Sequence, residues 1–483
     1  MGQPAQPSNR SLWLSLIVLC AGQMMIVIDQ NIVNVALPTV QRDLGFSEAN
    51  LVWVVNAYVI PFGGLLLLAG RLGDMLGRKR IFITGIVMFS AASLLCGLAT
   101  NEAMLIGFRF VQGIGGAVAS ACILGMVATT FDEPRKQAQA IGAYSFASAG
   151  GGAVGPLIGG ILTDLVDWSW IFFINVPIGA VVVLLAARNV PHETGLGGIS
   201  RKADFLGAAL VTAGLMSGVY AIVNAEKVGW AATETLILGP ISILLLVAFV
   251  IREATAEEPL LPLKIFRSRA LSAANLVQFL MIAGMFGLLF FGTLYLQKVL
   301  GLNSLEAGLG YVPIALVIAA VSLGLSAKVI TKFGQRPVLY AGLVLIVAAF
   351  VMLSFARVDG TYLVDFLPAT VVMGLGFGLA APAMMGLGMS AVTPQDAGIA
   401  SGLFNTTQQI GGAVGLTVLS AFVTARINDL GGADDIVALN GGYHRAFQAG
   451  AVFVVIALII AVAMLRSSER VAAEQQQAHA PAL

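Results

Sequence analysis

The chain of 483 residues is 58% hydrophobic and only 11% charged, with a mean hydropathy of +0.91. A soluble domain carries about 25% charged residues, so most of this surface does not face water and the composition is that of an all-α membrane protein. Lys plus Arg (26) nearly balance Asp plus Glu (25), which excludes the concentrated basic surface that nucleic acid requires. Cys20, Cys96 and Cys122 lie in apolar runs without zinc-like spacing. His192, His444 and His479 fall in polar connections or the tail, so neither a disulfide scaffold nor a metal centre is expected.

Apolar runs of about 20 residues cross a bilayer of about 30 Å as helices. Fourteen such spans are predicted, at 12–36, 51–71, 81–99, 103–126, 137–163, 169–188, 204–223, 235–252, 271–297, 306–327, 337–355, 362–387, 398–424 and 446–466. The first run follows Arg10 and contains Cys20, but it continues to about Leu37, too far for a cleaved signal core. Six spans form a first bundle (1–190), two additional spans occupy 191–255, and a linker (256–270) leads to a second six-span bundle (271–466) and a tail (467–483). With the N-terminus inside, nineteen of the 26 basic residues fall on the inner side, Arg201, Lys202, Arg466 and Arg470 among them, which places both termini in the cytoplasm. GRLGDMLGRKR at 70–80 is echoed by AKVITKFGQRP at 327–337, an internal repeat common in secondary transporters.

No GxxxxGK[ST] phosphate loop occurs, so ATP is not the direct energy source. The glycines at 113–116 and 374–378 lie within spans and read as helix packing, and the Asn405-Thr406-Thr407 sequon, inside a span, carries no glycan. Charge at membrane depth is more telling, because an ionisable side chain there costs about 2.5 to 3.5 kcal/mol on insertion scales. Two clear cases exist. Asp29 lies about 25 Å along span 1, and Arg109 enters from the opposite side to about 10 Å, so their depths agree. Hydrocarbon disfavours the charged acid while a neighbouring guanidinium favours it, a balance suited to loading and releasing protons. A purely structural ion pair is the alternative.

Gly70, Gly73 and Gly77 permit tight packing and a sharp turn between spans 2 and 3, and Asp74 can cap a helix or pair with Arg78, forming an inner latch. A topology-setting basic loop is the alternative. In span 5, Gly151, Gly155 and Gly159 recur every four residues beside Gly160, letting another helix approach closely, and Pro156 favours a bend.

Together IDQNIVNVALP (28–38), GRLGDMLGRKR, RFVQGIGGA (109–117), GPLIGG (155–160) and WIFFINVPIG (170–179) resemble motifs of the major facilitator superfamily, in particular its fourteen-helix drug:proton antiporters. The resemblance implies two six-helix bundles plus two extra helices, alternating access, and a proton gradient with no bound cofactor. It makes Asp29 the proton-binding carboxylate and Arg109 its modulator, Asp74 and Arg78 the inner gate, and Gly155 and Pro156 the antiporter hinge. Gln30 and Asn31 stand where the family's pattern usually has threonine, and Thr331 stands where the first half has Asp74.

Candidate cavity residues in the first half are Gln30, Asn31, Asn34, Trp53, Asn56 and Gln112. In the second half they are Asn275, Gln278, Met281, Met285, Phe286 and Phe377, with Asn405, Gln408 and Gln409 on one helical face. Methionine and aromatic surfaces suit lipophilic ligands, although core packing and amide bonds between helices account for the same residues. The reading is an exporter of lipophilic molecules, cationic ones included, acting as a monomer among membrane lipids. Alternatives are an exporter of one metabolite and a channel or receptor. No catalytic constellation supports an enzyme.

Overall fold

The structure, a computed structural model, describes residues 9–130, 134–190, 204–229, 231–257, 259–261, 263–389 and 397–465, and every regular element among them is helical. The first helices are α1 (Asn9–Leu44), α2 (Trp53–Leu76), α3 (Arg78–Gly97), α4 (Glu102–Thr130), α5 (Pro134–Leu165) and α6 (Asn175–Asn189), followed by α7 (Phe205–Val228) and α8 (Thr233–Thr255). The last are α9 (Arg269–Leu294), α10 (Ser304–Gly310), α11 (Gln335–Leu353), α12 (Leu367–Met389), α13 (Ala397–Leu430) and α14 (Ile436–Leu465). Among the described residues twelve helices are long and apolar enough to cross a membrane. The two expected spans outside that set are 137–163, within the glycine-rich α5, and 306–327, which breaks at Tyr311 and again at a π-helical turn over Val321–Leu325. Arg201, Lys202, Arg466, Arg470, the 191–203 connection and the tail 467–483 lie outside the described residues.

The chain divides into two compact units. The first takes in α1 to α6, α7 as far as Ala221, Trp230–Leu260 and Leu302–Val312. The second takes in Ile222–Gly229, Leu261–Gly301 and everything from Pro313 onward. Lipid gives apolar helices no hydrophobic reason to associate, so close van der Waals approach must do it, and small residues allow that. In the first unit Gly115 of α4 faces the backbone of Phe89, where a methyl would come within 2.5 Å of its nitrogen, and Gly113 lies against the Tyr58 carbonyl of α2. In the second, Gly411 lies on Phe279 and Gly415 on Ala283, joining α13 to α9, and Gly376 meets Gly342 between α12 and α11. The glycines at 113–116 are packing residues, as the sequence predicts.

The repeat noted in the sequence has a backbone counterpart. Single glycines separate α2 from α3 and the Ser326–Phe333 helix from α11, and both have positive φ, 97° at Gly77 and 84° at Gly334. With ψ extended at 119° and 162°, both sit in backbone that L side chains rarely adopt, at a cost of about 1 to 3 kcal/mol. Gly77→Ala is therefore expected to lower the melting temperature of the purified protein, whereas Ala at the helical Gly107, which has nothing within 4 Å, leaves it in place. Equal melting curves for the two variants would show the turn to be unstrained.

Candidate functional site

α1 carries Asp29 into the interior of the first unit, where α2, α3, α4 and α6 each supply a group to the same spot. The Arg109 guanidinium donates through Nη1 to Asp29 Oδ2 at 2.7 Å and to Gln112 Oε1 at 2.8 Å, and through Nε to the Val54 carbonyl of α2 at 3.0 Å. Gln112 Nε2 donates to Asp29 Oδ1 at 2.8 Å, and so does Asn175 Nδ2 of α6, also at 2.8 Å. Asn175 further donates to Ser93 Oγ of α3 at 3.0 Å, and Ser93 donates to the Phe172 carbonyl at 2.8 Å. The guanidinium carbon stands 4.4 Å from the Tyr58 ring centroid and 5.7 Å from that of Phe172. Arg109 and Gln112 share a face because they are three apart on one helix. Both charges of the pair are 0% exposed.

Such a node is affordable only because it is complete. A carboxylate and a guanidinium neutralise each other, and the remaining lone pairs and protons meet amides, a carbonyl and an aromatic face. Removing one member leaves a buried charge behind. Asp29 is sealed from the surface in this conformation, so any proton exchange there requires the node to open.

The glycine stripe of α5 fixes the other side of α1. A methyl on Gly151 would lie 3.1 Å from the Met24 carbonyl oxygen, on Gly155 3.1 Å from that of Ile28, and on Gly159 2.6 Å from that of Ile32. Gly160 and Pro156 serve a different neighbour. Gly160 abuts the Ser304 carbonyl, with 2.5 Å for a methyl, and Gly308 of α10 sits on the Pro156 carbonyl. Asp164, at the end of α5, caps α10 by accepting the Ser304 amide at 3.2 Å and the Leu305 amide at 2.8 Å. The motif thus clamps α1 with one face and α10 with the other.

In the 70–80 segment, Gly73 lies against Cys122, with 2.7 Å to Sγ for a methyl, and Gly70 has room, Ala121 being 3.9 Å away. Arg78 Nη1 donates to the Gly125 carbonyl of α4 at 3.1 Å. Lys79 Nζ donates to the carbonyls of Ala187 and Val190 at 2.8 and 2.7 Å, satisfying the last turn of α6, where a cation meets the negative end of the helix dipole. Asp74 stands on α2, and its side chain lies outside the described residues.

The candidate cavity residues separate into distinct environments. Gln112 belongs to the ion-pair node. Gln30 and Asn31 are half-buried, with Asn31 donating to the Val27 carbonyl at 2.8 Å, and Asn34 donates to the Asn31 carbonyl at 3.3 Å. Asn56 and Trp53 are buried, and Trp53 approaches Tyr220 of α7 with ring centroids 6.3 Å apart. In the second unit the amides tie α9 to α13: Asn275 Oδ1 accepts the Thr407 hydroxyl at 3.0 Å and Gln278 Nε2 donates to the Phe404 carbonyl at 2.9 Å. Met281 is buried, while Met285, Phe286 and Phe377 are half-buried. Asn405 and Gln408 are exposed but Gln409 is buried, so the three do not share one environment as their spacing suggests.

Sequence reasoning assigned no role to Asn175, Ser93, Tyr58, Lys79 or Asp164. Asn175 carried a usable signal as the single polar residue in 170–179. Tyr58 and Ser93 carried none, since tyrosine and serine are ordinary in membrane helices.

The sequence profile described as Major Facilitator Superfamily matches residues 19–416. The puromycin resistance protein pur8 of Streptomyces alboniger is 38% identical over 85% of this chain and 82% of its own length. The cephamycin export protein CmcT of Amycolatopsis lactamdurans is 36% identical over 93% of this chain and 91% of its own. The solved POT family transporter PepTSo aligns over 96% of this chain and 99% of its own with a TM-score of 0.68 at 16% identity, a likeness of fold.

Proposed function

Because the chain belongs to the Major Facilitator Superfamily, and is thus an integral membrane transporter of small molecules rather than an enzyme, we propose that it exports lipophilic compounds, antibiotics among them, in exchange for protons. The observation that carries the proposal is the sealed node of Asp29, Arg109, Gln112 and Asn175. Protonating Asp29 removes its charge, weakens its hold on Arg109 and frees two amides, so the contacts of α1 with α4 and α6 depend on one proton. The glycine clamp of α5 holds that same helix, which gives the proton a mechanical consequence. Relatives named for resistance to puromycin and export of cephamycin support the substrate class. With both termini cytoplasmic, protons enter as drug leaves. A gradient of about one pH unit supplies about 1.4 kcal/mol, hence about tenfold accumulation for each proton exchanged.

A second reading, export of one metabolite by the same mechanism, is favoured by relatives named for single antibiotics. A resistance profile in an efflux-deficient strain separates the two. Protection against several unrelated lipophilic drugs supports the broad exporter, and protection against one supports the dedicated exporter. Purified protein in vesicles is expected to accumulate a protecting drug only under an imposed pH gradient. Transport indifferent to a collapsed gradient would refute proton exchange.

A further inference from the structure

Among the described residues, every side chain that hydrogen-bonds to Asp29 does so as a donor. Its carboxylate accepts from Arg109 Nη1 at 2.7 Å and from Gln112 Nε2 and Asn175 Nδ2, each at 2.8 Å. The titratable groups around it are Arg109 of α4, Tyr58 of α2 and Cys96 of α3. Three donors suit a carboxylate, which only accepts. A protonated acid carries an O–H that must donate, and a buried donor left without an acceptor loses the full desolvation cost of that group. The neutral form of Asp29 therefore requires one neighbour to turn round.

The three donors differ in whether they can. Arg109 has no acceptor atom. Asn175 is fixed as a donor by Ser93, whose single hydroxyl proton goes to the Phe172 carbonyl at 2.8 Å and whose oxygen takes an Asn175 N–H at 3.0 Å. Turning that amide would set two oxygens against each other. Gln112 is held less firmly. Its Oε1 accepts Arg109 Nη1 at 2.8 Å and lies 3.7 Å from the Cys96 thiol, a group that donates or accepts weakly and so tolerates either end of the amide. Half a turn of the Gln112 carboxamide presents Oε1 to Asp29 and Nε2 to Arg109. The acid then has its acceptor, and two N–H groups face each other at the guanidinium.

We infer that Gln112 is the positioning residue that converts the charge of Asp29 into the position of Arg109, its carboxamide reversing on protonation to accept the acid O–H and turn the guanidinium away. The assignment rests on the proton-exchange reading and supplies its missing step. Loss of the ion pair alone leaves Arg109 bonded to Gln112 and to the Val54 carbonyl, whereas reversal replaces the Gln112 bond with a repulsion. Because Arg109 Nε holds Val54 of α2 at 3.0 Å, its displacement acts on α2 as well as α1.

Infrared difference spectroscopy between high and low pH, on the full chain in lipid with isotope-labelled glutamine, tests the reversal. Acidification is expected to produce a carboxylic-acid C=O band that is absent from Asp29→Asn, at the lowered wavenumber of an acid whose O–H is donated, together with a shifted glutamine carbonyl band. In Gln112→Met, which keeps the length but has no amide, the glutamine signal is expected to vanish and the acid band to rise toward that of an acid without an acceptor. Gradient-driven accumulation in vesicles is expected to fall about tenfold in this variant at every pH, the worth of about one hydrogen bond. A residue that only supports the carboxylate would instead move the pH profile without lowering its maximum. If Gln112→Met does not fold, the glutamine shift in the unaltered protein, present with the Asp29 band and lost in Asp29→Asn, carries the test. An acid band unmoved in Gln112→Met, an Asp29 band that forms with no glutamine shift, or an undiminished transport maximum overturns the assignment and leaves proton exchange at Asp29 standing. Absence of any Asp29-dependent band overturns both.

Discussion

Asp29→Ala is expected to destabilise the protein by about 3 to 5 kcal/mol, because it leaves the fully buried Arg109 guanidinium without its carboxylate. Asp29→Asn keeps the shape and an acceptor for Arg109, so its loss should be smaller. The double variant Asp29→Leu with Arg109→Met replaces the pair with apolar groups and is expected to recover most of the melting temperature, since such swaps are often neutral or stabilising. Transport should not follow stability. Asp29→Asn and the double variant, with no titratable group left in the node, are expected to exchange drug for drug across vesicles at near-normal rates yet fail to accumulate it under a pH gradient. Accumulation by the stable double variant would reduce Asp29 to a structural anchor and move proton coupling elsewhere.

The second large effect is expected in α5, where glycines within one short segment meet different surroundings. A methyl on Gly159 would lie 2.6 Å from the Ile32 carbonyl oxygen and 2.9 Å from its Cγ1, so α1 must shift. On Gly155 the nearest atom, Asn31 Cβ, is 3.0 Å away, and at Gly150 nothing lies within 4 Å. Overpacking a well-packed site costs about 1 to 3 kcal/mol, whereas alanine for glycine on an open helix face gains up to about 1 kcal/mol. Gly159→Ala is expected to lose most transport and stability, Gly155→Ala less, and Gly150→Ala neither. The order follows the distances rather than the number of glycines removed. Equal effects at Gly150 and Gly159 would show that the stripe acts through helix flexibility and not through its grip on α1.

Much of this was legible from the chain alone. Hydrocarbon thickness converts apolar run length into helices, so the helical course of the chain followed from composition. The cost of charge at membrane depth singled out Asp29 and Arg109 before any contact was known. A spacing of four put Gly151, Gly155 and Gly159 on one side of a helix, and a glycine between two helical runs marked the turn at Gly77.

The rotation of each helix about its axis is a different matter. A soluble helix declares its buried face by alternating apolar and polar residues, but a helix that is apolar all round has no such stripe. Nothing local says that Asp29 turns toward Arg109, Gln112 and Asn175 rather than toward the face of Met24, Val27 and Asn31 that packs on the α5 glycines, or that Gln112 serves the carboxylate and not a ligand. Packing decides those rotations, because glycine and other small residues set how near two backbones come, and that nearness determines which side chains can touch. The chain thus specified which groups enter the membrane, while the assembled helices chose the partner each of them meets.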